Sequence, residues 1–297
     1  MAGLVPSLNS LYKKVHDAMK GDKGNITLLT VAVLWMSEIP MFTFTLLDIL
    51  KLKAVFPYRL HYDPDHASHL GQRKYPPLDL VLKTAAVAEK NFLLAYIVPA
   101  TVLIKLGAKL GIYVYDTEED EKKVTWRRII KETLMISVVA DFLFYGLHRL
   151  MHTKRFYPIH KVHHEFKYSI AMAHHYMEYV EAVIFALPQA LPPLRLWAAT
   201  GQRMHIISMW LGVFYTQTSA ILGHAGYRIP FIPSWLPFLQ ASYHDLHHVD
   251  YKVNFGAIYP FTDMLFGTYI KATLDKAVKV PVDGNVTMKA GAGLLRN

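Results

Sequence analysis

His148-Arg-Leu-Met-His152, then His160-Lys-Val-His163-His164, and far downstream His244-Asp-Leu-His247-His248 are the stretches that decide how the rest of this chain is read. On a helix, residues three and four apart share a face, so HxxxH offers two imidazoles to one side and HxxHH offers three to a common centre. Of the 16 histidines, 12 lie between residues 148 and 248, where an even scatter would put about 5. A lone pair is common on a wet helix face. Eight imidazoles in three groups are a different matter, because packed histidines repel one another as they protonate, whereas a metal ion requires the neutral ring.

The donor set narrows the metal. The chain has no cysteine and no Glu-x-x-His, which excludes thiolate zinc sites, iron–sulfur clusters and the soluble carboxylate di-iron bundle. Imidazole sites suit iron, copper or zinc. A tetrahedral ion uses only half of these side chains, so eight or more imply two ions, and a pair of irons suits oxygen activation.

The chain of 297 residues is 53% hydrophobic with a mean hydropathy of +0.19, too apolar for an ordinary soluble enzyme. Residues 25–52, NITLLTVAVLWMSEIPMFTFTLLDILKL, are long enough to cross a bilayer, with Ser37, Glu38 and Pro40 predicting a kink or break at the centre. Met1–Lys23 is polar and amphipathic and shows no cleavable signal. The formal net charge is +9. Lys51, Lys53, Arg59, Arg73, Lys74, Arg127, Arg128, Lys154 and Arg155 flank apolar stretches, so anionic lipid head groups account for the basicity and nucleic acid is not an expected partner.

Residues 53–77 read as a surface loop in which His66 and His69 are solvated rather than ligating. Leu78–Tyr115 is a second apolar region, broken by Pro99, and 116–121 an acidic turn. Ile129–Leu147 is the third and delivers His148 at the membrane's edge. Asp141, Tyr145, His148 and His152 follow at steps of four, three and four along one stripe. Asp141 is therefore expected to hydrogen-bond a ligand imidazole, with a buried structural pair as the alternative. Val180–His224 is long enough for two short crossings or one re-entrant hairpin, with Pro192-Pro193-Leu194-Arg195 as its turn. Because the early and late histidine groups must meet on one face, the chain between them crosses an even number of times. A segment punctuated by Pro230, Pro233 and Pro237 and a polar tail, Lys271–Asn297, complete the chain. The fold class expected is an all-α integral membrane protein of about four transmembrane helices, with a histidine-rich helical cap on the cytosolic face holding a di-metal centre.

These residues resemble the membrane-bound fatty acid hydroxylase and sterol desaturase superfamily, whose pattern is HxxxH, HxxHH and HxxHH, and within it the C4-methylsterol monooxygenases. The likeness is carried by His148–Lys154, Ile159–Phe166, His224-Ala-Gly226-Tyr227, His244–His248, Asn254 and Phe266-Gly267-Thr268, within about Asp141 to Thr268. One stretch departs from that subgroup. Where its members carry Glu-Tyr-Ala-His-Pro-x-Glu, this chain has His175-Tyr176-Met177-Glu178-Tyr179-Val180-Glu181, with His and Glu exchanged. Three apart on a helix, either order presents one imidazole and one carboxylate to a common centre. His175 is thus expected as a replacement ligand, Glu178 as a carboxylate ligand or a group behind one, and His174 as pointing elsewhere.

The resemblance implies an oxygen-dependent monooxygenase with two iron ions on His148, His152, His160, His163, His164, His175, His224, His244, His247 and His248, supported by Asp141, Tyr145, Glu178 and Asn254. It implies three parts: 1–128 with the first membrane segments, 129–270 as the catalytic domain, and 271–297 as a tail. With no His-Pro-Gly-Gly haem sequence in the chain, electrons would come from cytochrome b5 and NAD(P)H through a reductase, in the endoplasmic reticulum membrane with the site facing the cytosol. The implied substrate is the C4 methyl group of a sterol. The same chemistry serves sterol desaturation, sphingoid or fatty acyl hydroxylation and fatty aldehyde decarbonylation, and a non-catalytic membrane metal-binding member is the reading of another class. A metal transporter would need polar residues along whole spans, and here they cluster at one face.

Overall fold

The computed structural model describes residues 23–52, 54–55, 58, 76, 78–110, 112–114, 125–166, 169–227 and 241–270. His61, His66 and His69, the acidic turn at 116–121, Pro230, Pro233, Pro237, residues 1–22 and the tail from 271 lie outside them.

Helices α1 (Lys23–Ser37) and α2 (Ile39–Leu50) make up the first apolar stretch. The break between them falls at Glu38, where Pro40 in the first turn of α2 has no N–H to donate and Ser37 Oγ turns back onto Leu34 O at 2.6 Å. The second stretch is α3 (Leu78–Asn91), a π-helical turn (Phe92–Ile97) and α4 (Val98–Lys109). Here Pro99 does not end the helix. Lacking an N–H, it disturbs the preceding turn, in which Val98 N reaches back to Leu93 O. Strand β1 (Tyr113–Val114) follows, then α5 (Trp126–Met151), whose N-terminus is capped by the Thr125 side chain accepting from Arg128 N at 3.2 Å. A short α6 (Tyr157–His160) and two 3₁₀ turns (His163–Glu165 and Ala171–His175) lead to α7 (Tyr179–Thr200). Strand β2 (Met204–His205), α8 (Ile206–His224), α9 (Ala241–Val249) and α10 (Pro260–Leu265) complete the described chain.

Five of these helical stretches are long and apolar enough to cross a membrane, against about four expected: Thr27–Leu50, Leu78–Gly107, Trp126–Met151, Tyr179–Thr200 and Ile206–His224. The last two give 180–224 two helices, each long and apolar enough for a crossing of its own. The turn between them is not at Pro192-Pro193, because α7 runs through Pro188, Pro192 and Pro193 and ends at Gly201, whose φ of +67° only glycine adopts at little cost. Large apolar side chains such as Leu28, Leu82, Val102, Ile130 and Leu134 stay more than half exposed on the outer faces, as suits lipid rather than water.

Contacts fix the direction of each stretch. Trp210 Nε1, early in the fifth, donates to Thr30 Oγ1 at 2.9 Å, early in the first. Tyr227 OH, just past the fifth, donates to Asp48 Oδ1 at 2.6 Å, near the end of the first. β1 pairs in parallel with β2, which sets the end of the second stretch beside the start of the fifth, and Arg128 reaches Arg203 O at the start of the third. The five therefore alternate in direction. The C-terminal ends of the first, third and fifth share one end of the bundle with the N-terminal ends of the second and fourth, and that end carries the histidines. Phe92, Tyr96, Met177, Phe185 and Val213 pack between them.

Gly226 is where the chain leaves α8. It has a φ of +68°, a Cβ there would stand 2.6 Å from Ser169 O, and it aims Tyr227 at Asp48. Gly226→Ala should therefore cost about 2–4 kcal/mol of stability from left-handed strain and backbone collision. Thermal unfolding in detergent would check this against Gly146→Ala, a mid-helix site with nothing within 4 Å of its Cβ, where no loss is expected.

Candidate metal centre

Nine imidazoles meet at the shared end of the bundle in two groups. His148, His152, His160, His164 and His247 form one, and His163, His224, His244 and His248 the other, with all ligand atoms in each within 4.8 Å of one another. The HxxHH triplets do not serve a common centre as expected from helical spacing. Each is divided: residues at i and i+4 (His160 and His164, His244 and His248) go to one group, while the residue at i+3 (His163, His247) goes to the other. The swap is reciprocal. In the first triplet the cause is local, since α6 ends at His160 and a 3₁₀ turn starts at His163, tightening the rotation between them.

The rings are held from behind. His148 Nδ1 donates to Phe255 O (2.6 Å), His247 Nδ1 to Val253 O (2.7 Å), His224 Nδ1 to Ala220 O (2.8 Å), His163 Nδ1 to Tyr176 O (3.3 Å) and His160 Nδ1 to Glu181 Oε1 (2.5 Å). A proton on Nδ1 leaves Nε2 as a bare lone pair, and these lone pairs converge. Nε2–Nε2 separations are 3.1 Å for His148–His160, 2.9 Å for His160–His164, 3.1 Å for His152–His164, 3.3 Å for His164–His247 and 3.2 Å for His163–His224. Both ring nitrogens of His244 and of His248 are buried with no hydrogen-bond partner among the described residues. Facing lone pairs and orphaned buried nitrogens are what a cation removes, so the donor set fits one metal ion in each group.

Burial, with neighbouring imidazoles adding to it, keeps these rings neutral. It pulls His152 down to about 3 and His163 to about 4, and lowers His160, His164, His244, His247 and His248 as well. His174 is lowered by the same cause.

The remaining expected residues fall in other places. His175 lies outside both groups, with its Nε2 against Glu38 Oε2 at 3.1 Å, its carbonyl bound by Asn91 Nδ2, and its ring between Phe92 and Tyr96. His174 also lies outside both groups, as expected, although its ring centroid is 5.3 Å from that of His224. Glu178 is exposed. The carboxylate behind a ligand is instead Glu181, fully buried at the start of α7. Asp141 touches no imidazole: Oδ1 accepts from Ile258 N and Tyr259 N, and Oδ2 from Thr262 Oγ1, so it anchors the entry to α10. Tyr145 braces the same region, with its OH 3.0 Å from Thr268 Oγ1 and its ring stacked on Phe266.

Asn254 sits behind two rings of the cluster. In the left-handed region at φ +52°, it binds Tyr243 O and the Ile270 backbone through its amide, and so fixes the loop whose carbonyls at 253 and 255 hold His247 and His148. Asp263, unassigned from sequence, completes that loop by accepting from Phe255 N, Gly256 N, Tyr243 OH and Thr268 Oγ1. Glu181 had a signal, as the last residue of the very stretch compared with the Glu-Tyr-Ala-His-Pro-x-Glu pattern. Asp263 had none. A cavity of about 40 Å³ opens beside both groups, walled by His148, His160, His163, His224 and His244 with Phe144, Met177 and Phe185.

Residues 133–268 match the family model described as fatty acid hydroxylase. A very-long-chain aldehyde decarbonylase of Oryza sativa subsp. japonica is 36% identical over 143 residues, 46% of this chain and 46% of that protein. Methylsterol monooxygenase 1-1 of Arabidopsis thaliana is 31% identical over 48% of each chain. Methylsterol monooxygenase 1 of Rattus norvegicus is 32% identical over 51% of this chain and 50% of its own. The chain thus spans about half the length of the curated relatives it matches. No solved structure matches it.

Glu181→Gln keeps the shape but replaces the carboxyl oxygen behind His160 with an amide, and should weaken metal binding about 10–100-fold. Competition against a chelator would measure it, with the exposed Glu178→Gln expected to bind as the wild type does. A pH effect follows for the metal-free protein. His152 and His163 are held to about 3 and about 4, so below the unfolded-chain value of about 6.5 the unfolded state binds more protons. Stability should therefore fall as pH drops from about 6.5 towards 4. A flat unfolding temperature across that window after chelation would contradict it.

Proposed function

We propose that this protein, whose residues 133–268 match the fatty acid hydroxylase family model, is a membrane-bound, oxygen-dependent di-iron oxidoreductase that hydroxylates a lipid, namely a sterol at its C4 methyl group. The observation that carries this reading is the division of nine imidazoles, eight buried and His152 partly so, into two donor sets beside a largely apolar cavity. Iron bound there supplies the reductive activation of dioxygen, in the overall balance RH + O₂ + 2 e⁻ + 2 H⁺ → ROH + H₂O.

The chain's own residues do the rest. The carbonyls at 176, 220, 253 and 255 and the Glu181 carboxylate hold five rings with Nε2 facing inward. Phe144, Met177 and Phe185 keep water from the reacting carbon. The outward apolar faces let a lipid substrate arrive from the bilayer rather than from water. The methylsterol monooxygenase relatives favour the sterol, while the aldehyde decarbonylase match at 36% identity favours a long-chain lipid as the second reading.

Cytochrome b5 with an NAD(P)H-dependent reductase is the electron source we propose, at the cytosolic face of the endoplasmic reticulum membrane.

Protein purified in detergent should contain about two irons per chain, and cells lacking it should accumulate 4-methylsterols. Two irons with unchanged sterols would move the substrate to another lipid. His163→Ala takes a donor from the group of four and His247→Ala one from the group of five. Each should abolish activity and lower bound metal while membrane insertion persists, and full activity in either would sink the di-iron reading.

A further inference from the structure

Two buried polar residues of the first two membrane stretches converge on one short segment. Asn91, at the end of α3 and fully buried, donates through Nδ2 to His175 O and to Met177 O, both at 2.9 Å. Glu38, buried in the break between α1 and α2, has Oε2 3.1 Å from His175 Nε2. Both lie outside residues 133–268, and neither belongs to a metal group. What they hold does bear on one. Tyr176 lies between the two clamped residues, and its carbonyl accepts from His163 Nδ1 at 3.3 Å, with Ala173 O, in the same turn, facing that ring as well.

The backbone at Tyr176 is extended (φ −81°, ψ 93°), and successive groups of an extended chain face opposite sides. An amide that takes the carbonyls of 175 and 177 therefore leaves that of 176 facing the other way, towards His163. Peptide units turn as rigid planes, so holding the planes on either side leaves the middle one little freedom. The Tyr176 side chain is held separately, by its OH donating to Glu165 Oε2 at 3.0 Å and its ring meeting Phe166 edge-on. Those contacts place the ring without fixing the carbonyl. A buried asparagine in a membrane helix commonly serves as glue, giving a donor to carbonyls that have no water. That role needs no particular target. Here one amide uses its two N–H donors on the carbonyls flanking the one that orients a metal-group imidazole, and a second stretch engages the adjoining side chain.

We propose that Asn91, with Glu38 beside it, is a positioning residue for the metal group of four: it aims Tyr176 O at His163 Nδ1 and so keeps His163 Nε2 turned inward, 3.2 Å from His224 Nε2. The consequence is selective. His163 belongs with His224, His244 and His248, so loss of the clamp weakens the ion held there and leaves the ion of the other group alone. The inference rests on the reading of the two groups as metal sites and deepens it, since the first two membrane stretches then share in building the centre. It holds whichever lipid is oxidised.

The test is metal binding by the full-length protein in detergent, stripped with a chelator and titrated with cobalt(II), whose visible absorption reports its coordination by imidazole. The unaltered protein should take up two ions, and His163→Ala and His247→Ala, each lacking a donor from one group, assign the two signals. Asn91→Leu, similar in size but without donors, should weaken the ion of the group of four about tenfold and leave the other unchanged. Glu38→Leu should weaken the same ion, while Glu38→Gln, which keeps a polar group of the same shape against His175, should bind both ions as the unaltered protein does. Thr30→Val removes the acceptor of Trp210 at the far end of the bundle, and should lower the unfolding temperature with both ions bound as before. An Asn91→Leu protein that holds both ions as tightly as the unaltered one overturns the proposal, and so does equal weakening of both, the mark of a generally loosened fold. The Glu38 pair reads the same clamp without altering Asn91, and equal binding by Leu and Gln at that position also overturns it. Two ions in every variant would leave the metal reading standing without the clamp. Fewer than two in the unaltered protein would remove both.

Discussion

Nine imidazoles gathered around two points, all but His152 buried, with lone pairs facing one another at about hydrogen-bond distance, are the constraint on which the rest of this fold depends. Left alone, such a cluster is unstable, since its rings can be neither solvated nor protonated without a large desolvation cost. Neighbouring elements make it tenable by supplying acceptors for the outward nitrogens, so that the inward ones remain free for a cation. Most of those acceptors are backbone carbonyls. They are fixed by the path of the chain, and the path is fixed in turn by side chains that never approach the metal groups.

Asp141, Asn254 and Asp263 are of that kind. Asp141 anchors the entry to α10, Asp263 gathers two backbone amides and two hydroxyls, and Asn254 adopts a backbone conformation that few residues other than glycine tolerate. Together they hold one short loop against α5 and α9, and two of its carbonyls orient His148 and His247. Glu181 and Glu38 supply the buried carboxyl contacts. Glu181 backs a ring of the cluster, while Glu38 engages the buried His175 beside it, in the break of the first apolar stretch. A polar residue in a membrane stretch is retained where it has a partner of this sort.

The alternation of five stretches sets where chemistry can happen. Odd-numbered ends and even-numbered starts coincide, so α5, α7 and α8 all present site residues at one end while their apolar lengths enclose the cavity below.

Much of this was legible in the residues themselves. The spacing of His148 to His152, His160 to His164 and His244 to His248 announced a cluster of imidazoles able to hold metal, because rings four apart share a helix face, and long apolar runs announced helices able to cross a membrane. Other features were not legible. The division of each HxxHH between two centres depends on where α6 stops and a 3₁₀ turn begins, and that is settled by packing. The exposure of Glu178 and burial of Glu181 turn on where α7 starts. His175 looked like a ligand because residues three apart can share a face, yet it faces Glu38, far away in sequence and close only after the stretches assemble. Sequence by itself determined which atoms were available and in what medium, since composition and local spacing are properties of short windows. Only the tertiary structure decided which nitrogen faces which centre, because that depends on carbonyls and carboxylates brought from distant segments by helix packing.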